Sequence, residues 1–186
     1  MVNLAKKIIG LDFDGTVSEP IVNVVALLNK RYGKNYTLKD VKEYWYNGLY
    51  GITREELGRA YAEVLEEGNV ELVDKRIPSI IKELEKSFDI CLVTYSFAKE
   101  QCIADWLKKH SVELKRVVVA KEKIDLKDAA FFIDDSPYNA IKLSSFGKKV
   151  ILLKKWHYNY GDDIINGNII PVSNWGEIRK AALDLL

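Results

Sequence analysis

Cysteine, methionine and histidine are scarce: two, one and two residues among 186. Cys91 and Cys102 are too few for a disulfide framework, and Cys91, inside the apolar run "DICLVTYS", reads as a small buried thiol suited to a reducing compartment. His110 and His157 stand alone without ligand spacing, which argues against a zinc site. Long apolar runs are missing too. No stretch approaches the ~20 residues that span a bilayer, and the N-terminal run is broken by Lys6, Lys7 and Asp12, unlike a signal peptide. Nor is there an excess of one charge. The 28 basic side chains nearly cancel the 27 acidic ones, which removes the electrostatic footprint of a general nucleic-acid binder. No repeat, low-complexity tract or flexible linker is visible. The expectation is a soluble cytoplasmic protein, away from membranes and nucleic-acid polymers, with one domain plus an insertion.

What the sequence does have is a hydrophobic content of 48%, arranged in short runs rich in Ile, Val and Phe. "KKIIGLDF", "FDICLVTY", "KRVVVA", "AAFFID" and "KKVILL" each read as a buried strand. Segments of helical period lie between them: "PSIIKELEKS", with Pro78 suited to a first turn, "SFAKEQCIADWLKKH", and "SPYNAIKLSSFG", with Gly147 at its end. "SNWGEIRKAALDLL" reads as a closing helix. This alternation predicts an α/β fold, a mainly parallel sheet covered on both faces. Between the first and second runs lie some sixty residues with helix signals only, among them "TLKD" (37–40) and "TREE" (53–56), both of capping-box form or close to it, and Gly68 as a helix end. Residues 17–75 are therefore expected to form a small helical insertion.

Ligands of such sheets bind outside the carboxyl ends of the strands. Those ends carry Asp12, Asp14, Gly15 and Thr16; then Thr94 and Ser96; then Lys121 and Lys123; then Asp134 and Asp135. Residues i and i+2 point to one side, so Asp12 and Asp14 can serve one ligand while Gly15 turns the backbone beside them. Carboxylates this close repel unless a cation sits among them or one is protonated. A hard cation taking oxygen ligands, Mg²⁺ above all, resolves the conflict and recruits phosphate. One aspartate can then attack phosphorus, and a second can move the proton. A hydroxyl, backbone N–H groups and a lysine can hold the phosphoryl oxygens and offset their charge.

"DFDGT", "LVTYS", "AKEK" and "FFIDDSPYN" resemble, in order, the four motifs of haloacid dehalogenase (HAD) superfamily phosphohydrolases. The resemblance implies a three-layer, doubly wound, Rossmann-like core, residues 1–16 and 76–186, with residues 17–75 as a helical cap. It implies Asp12 as nucleophile, Asp14 as general acid and base, and Thr94 with Tyr95 as phosphate binders. Lys123, favoured over Lys121 by the motif match, would be the charge neutraliser. Mg²⁺ would be held by Asp12, the Asp14 carbonyl and Asp135, with Asp134 orienting the lysine. An aspartate two residues after the nucleophile is typical of the superfamily's phosphatases rather than its dehalogenases. The insertion, "AKEK" before "IDDSPYN", and the later "WHYN" and "NWGEI" are most similar to the 5′(3′)-deoxyribonucleotidase family. The implied activity is phosphomonoester hydrolysis through an aspartyl-phosphate, with a nucleoside monophosphate as substrate. Another small ester such as a sugar phosphate, or a non-catalytic phosphate-binding relative, are the alternatives.

The insertion concentrates Tyr44, Trp45, Tyr46 and Tyr50. Such rings can stack on a nucleobase above the site, or they can form the core of a small cap. Arg54 and Lys42 carry the same two readings, and "KKWHYNYG" (154–161) either borders the site or forms an exposed loop.

Overall fold

The computed structural model describes residues 5–120, 122–155, 157–158 and 166–186. Lys121, Trp156 and most of "HYNYG" thus lie outside the described residues. Six parallel strands form one sheet: β1 (Lys7–Leu11), β4 (Phe88–Thr94), β5 (Arg116–Val119), β6 (Ala129–Asp134), β7 (Lys149–Leu153) and β8 (Ile169–Val172), in the order β5-β4-β1-β6-β7-β8. Helices α4 (Ile77–Leu84), α5 (Glu100–Lys109) and α7 (Trp175–Leu183) bury Ile77, Ile81, Ile103, Trp106 and Ile178 in the cluster that holds Ile9, Leu11, Ile90 and Phe131. The opposite face is covered by α6 (Pro137–Ser145), whose Ala140 and Leu143 pack with Val93, Phe132 and Val150. Gly10 belongs to that closely packed face. A Cβ there would overlap the ring of Phe132.

The sheet places the polar strand ends together because β1 is central, with β4 and β6 as its neighbours. Leu11 pairs with Leu92 on one side and Ile133 on the other. Asp12, Thr94 and Asp134 therefore emerge side by side at one edge of the sheet.

After β1 the chain passes through β2 (Ser18–Glu19), α1 (Ile21–Tyr32), α2 (Asn47–Tyr50) and α3 (Arg54–Glu66), and returns through β3 (Glu71–Leu72). α3 starts at the capping box expected from "TREE": Glu56 N–H donates to Thr53 Oγ1 (3.1 Å) and Thr53 N–H donates to Glu56 Oε2 (2.7 Å). α1 and α3 bury Val24, Leu28, Leu57, Ala60 and Leu65 in a cluster continuous with that under the sheet.

Two expectations are corrected here. "TLKD" does make the Thr37–Asp40 side-chain bond (2.8 Å), but it closes a turn and starts no helix: Asp40 Oδ2 accepts from both the N–H and the hydroxyl of Thr37, which holds the chain in that turn. The stretch without strands does contain them, since β2 and β3 pair antiparallel as a ribbon where the chain leaves and re-enters the core. The ribbon is tied down from below: Trp175 Nε1 donates to Thr16 O and Trp106 Nε1 to Val70 O, both at 2.9 Å.

Candidate active site

Asp12 follows the apolar strand "KIIGL", and its N–H donates to Ile133 O of β6 (2.9 Å), so the sheet's own ladder fixes it. Alternation then turns Phe13 into the core, edge-on to Trp106 at 5.1 Å, and brings Asp14 to the same side as Asp12. Gly15 adopts φ 81°, and its bare Cα lies against Asp135, whose carboxylate a Cβ would overlap. Any side chain there would push the two motifs apart.

The carboxylates differ in what surrounds them. Asp12 Oδ1 pairs with Lys123 Nζ at 2.5 Å and Oδ2 accepts from Thr16 Oγ1 at 3.1 Å. Asp14 Oδ1 accepts from Ser18 Oγ at 3.1 Å. Asp134, fully buried, is saturated: Lys123 Nζ lies 2.5 Å from Oδ2, Ser136 N–H donates to Oδ1 at 2.8 Å, and Asn139 Nδ2 reaches both oxygens. Asp135 is buried too, but its Oδ1 has no hydrogen-bond partner.

Electrostatics follow from that packing. Burial, opposed by Lys123 and helped by Asp134, pushes Asp12 up to about 6. Burial and the Asp12 charge push Asp14 up to about 7. Asp135 is held well above the carboxylate range by burial and by Asp12, against the pull of Lys155. Lys123 is held above its ordinary value, since Asp12 and Asp134 outweigh its desolvation. Buried anions this close are costly without a countercharge. Oxygens of Asp12, Asp134 and Asp135 lie within 4.8 Å of one another. Because Asp134 is already saturated, Asp12 and the orphaned Asp135 oxygen are what remain for an ion, and an all-oxygen donor set suits a hard divalent cation.

Asp12, Asp14, Lys123 and Asp135 form the floor of a cavity of about 410 Å³, whose lining also includes Thr94 at the end of β4, Tyr95, Ser96 and Phe97 after it, and Glu19, Tyr44, Trp45, Arg54, Gly58 and Tyr61 from the segment after β1. The structure thus gathers Asp12, Asp14, Thr94, Tyr95, Lys123 and Asp135, with Asp134 behind them. Of the aromatic candidates, Tyr44 and Trp45 line the cavity, and the Arg54 guanidinium lies 4.9 Å over the Trp45 ring. Tyr46 and Tyr50 do not line it. They are buried, Tyr46 donating to Tyr61 Oη (3.2 Å) and Tyr50 to Asn29 Oδ1 (3.0 Å), with Tyr36 edge-on to Tyr50. Of the two readings given for these rings, the burial of Tyr46 and Tyr50 fits the second, core of a small helical segment.

Ser18, Glu19 and Asn139 were not anticipated as contributors, and Thr16 was placed only at the strand end. Thr16, Ser18 and Asn139 hold the acids through side-chain bonds, and Glu19 pairs with Lys155 at 2.7 Å along the cavity wall. For Thr16 and Ser18 the signal available was a hydroxyl four residues after each aspartate.

Comparison with known proteins gives one consistent picture. Residues 6–182 match the family model described as 5′ nucleotidase, deoxy (Pyrimidine), cytosolic type C protein. Nucleotidase CA_C3379 of Clostridium acetobutylicum is 26% identical over 178 residues, covering 90% of this chain and 89% of the relative. Among solved structures, a predicted phosphatase from Clostridium acetobutylicum superposes with a TM-score of 0.69 at 14% identity, covering 97% and 99% of the two chains. The HAD-hydrolase YfnB of Bacillus subtilis bound to magnesium gives 0.59 at 16% identity, covering 96% and 99%. These superpositions place the fold among HAD-like hydrolases.

Proposed function

The chain belongs to the cytosolic type C 5′ nucleotidase family, whose members are phosphoric monoester hydrolases, and on that footing we propose that it hydrolyses nucleoside monophosphates, deoxynucleotides foremost, through a phosphoryl-aspartate on Asp12. Mg²⁺ is the proposed cofactor, held by Asp12, the Asp14 carbonyl and Asp135. The observation that carries this reading is the asymmetry of the buried acids: Lys123, Ser136 and Asn139 satisfy Asp134, whereas Asp12 borders the cavity and Asp135 keeps an oxygen without a partner. Magnesium in the YfnB structure supports the choice of metal.

In this reading the Asp12 carboxylate attacks phosphorus, an Asp12 O–P bond forms and the ester P–O bond breaks. Asp14, whose protonated form burial favours, gives its proton to the departing oxygen. Water then attacks the phosphoryl group, its proton passes to Asp14, the Asp12 O–P bond breaks, and phosphate leaves with both aspartates restored. Thr94 and the Tyr95 backbone N–H hold phosphoryl oxygens, and Lys123 offsets their charge while keeping Asp12 in place. When bound, the cation would neutralise charge developing on the phosphoryl group. Residues 17–75 act as a cap bringing Tyr44, Trp45 and Arg54 over the leaving group, above a core of residues 1–16 and 76–186. The location proposed is the cytoplasm, in keeping with the cytosolic type of the family.

The test is release of phosphate from deoxynucleotides, ribonucleotides and sugar phosphates, with Mg²⁺ and with chelator, for the wild type and Asp12→Asn. Preferential, chelator-sensitive turnover of deoxynucleotides that vanishes in Asp12→Asn is expected. Equal and poor turnover of the whole panel would remove the nucleotide assignment.

A further inference from the structure

Gly58 lies inside α3, where glycine weakens a helix and so calls for a packing reason. The reason is Phe97. A methyl on Gly58 would stand 2.5 Å from Cε2 and 2.6 Å from Cδ2 of that ring, far inside contact distance. On the same helix Arg59 holds its guanidinium 5.8 Å over the Phe97 ring, and Tyr95 meets Phe97 edge-on at 5.6 Å. Yet the ring is 40% exposed, and both it and Gly58 line the cavity. Phe97 stands three residues after Thr94, on the segment that begins with the proposed phosphate binders, and reaches across to the helix that supplies Arg54. It is therefore an apolar wall between the floor of the site and its roof, flanked by Arg59 and Tyr95 and seated against the notch left by a missing side chain at position 58.

We propose that Phe97, seated in the notch that Gly58 leaves in α3, sets the size of the leaving group this hydrolase accepts. The inference rests on the reading that phosphate esters bind at Asp12 with the leaving group toward Tyr44, Trp45 and Arg54. With the ring in its notch the cavity keeps the width that a nucleoside needs. A side chain at position 58 fills the notch and forces the ring, which has solvent on one side, out of its seat and along the cavity wall. A leaving group of nucleoside size then meets the displaced ring, whereas a single-ring ester occupies only the part of the cavity nearest Asp12.

The experiment compares kcat/KM for a nucleoside 5′-monophosphate and for p-nitrophenyl phosphate in wild type, Gly58→Val, Phe97→Ala and the double variant, with Tm recorded for each. The nucleotide-to-aryl ratio is expected to fall tenfold or more in Gly58→Val, through KM for the nucleotide, and to recover to within threefold of the Phe97→Ala value in the double variant. An unchanged ratio in a folded Gly58→Val, or a ratio that falls and is not recovered by Phe97→Ala, overturns the proposal. Should Gly58→Val fail to fold, Gly58→Ala is read by the same ratio and the same rescue. A wild type that does not favour the nucleotide would instead count against the nucleotidase reading, while the response of the ratio to Gly58 and Phe97 still decides the role of the ring.

Discussion

Asp134 and Asp135 are adjacent in sequence and both are buried, but one is satisfied by Lys123, Ser136 and Asn139 while the other keeps Oδ1 without a partner. The pair thus divides structure from ligation. Asp134→Asn should leave the Lys123 ammonium with one anionic partner instead of two and destabilise the fold by roughly 3 kcal/mol. Asp135→Asn should cost little stability and raise the Mg²⁺ concentration for half-maximal activity tenfold or more. Denaturant titration and Mg²⁺-dependent rates of both variants check this, and a reversal of the two patterns would reject the division.

The clustered acids also tie stability to pH. In the folded protein Asp12 sits at about 6 and Asp14 at about 7, both above the ordinary carboxylate value. A raised folded pKa means that protonation favours the native state, so this stabilisation is complete below about pH 4 and is lost as pH rises through about 6 and about 7. Metal-free protein should therefore lose Tm between pH 5 and pH 8 by at least about 3 °C. Mg²⁺ should raise Tm more at pH 8 than at pH 5, because at pH 5 protons compete with it. Equal Mg²⁺ shifts at the two values would contradict the account.

Trp175→Phe keeps most of the buried ring but removes the donor to Thr16 O. The carbonyl left without its partner should cost about 1–3 kcal/mol. Since the Thr16 hydroxyl donates to Asp12, turnover should fall several-fold as well, by kcat rather than KM. A stability loss with unchanged kcat would show that Trp175 holds the fold alone.

Trp45 and Tyr46, neighbours in one aromatic stretch, should part company under mutation. Trp45→Ala opens the cavity wall beneath Arg54 and should raise the nucleotide KM about tenfold, on the order of a base-stacking contact. Tyr46→Phe removes the hydroxyl bonded to Tyr61 and should lower Tm while leaving KM within twofold. Steady-state kinetics with melting curves separates the two.

The parts of the molecule that were legible in the sequence are those governed by local pattern. Five apolar runs became β1, β4, β5, β6 and β7, and the acids, hydroxyls and lysine at their ends meet in one cavity because β1 is central. β8 escaped notice: "IIPV" is four residues long and carries Pro171, tolerated because this strand lies at the edge of the sheet. The ribbon of β2 and β3 has two residues per strand, too short for any period. The direction in which Tyr44, Trp45, Tyr46 and Tyr50 point depends on how α1 and α3 pack, and composition alone does not contain that information. Gly58 is the same case, since its reason for being glycine is a ring 39 residues away in the chain.

The most direct test of the central claim is peptide mass mapping of enzyme quenched in acid during turnover of a deoxynucleoside monophosphate with Mg²⁺. The account predicts a hydroxylamine-sensitive phosphoryl adduct on Asp12 that is absent from Asp12→Asn. Turnover that persists in Asp12→Asn, or an adduct on another residue, would contradict it.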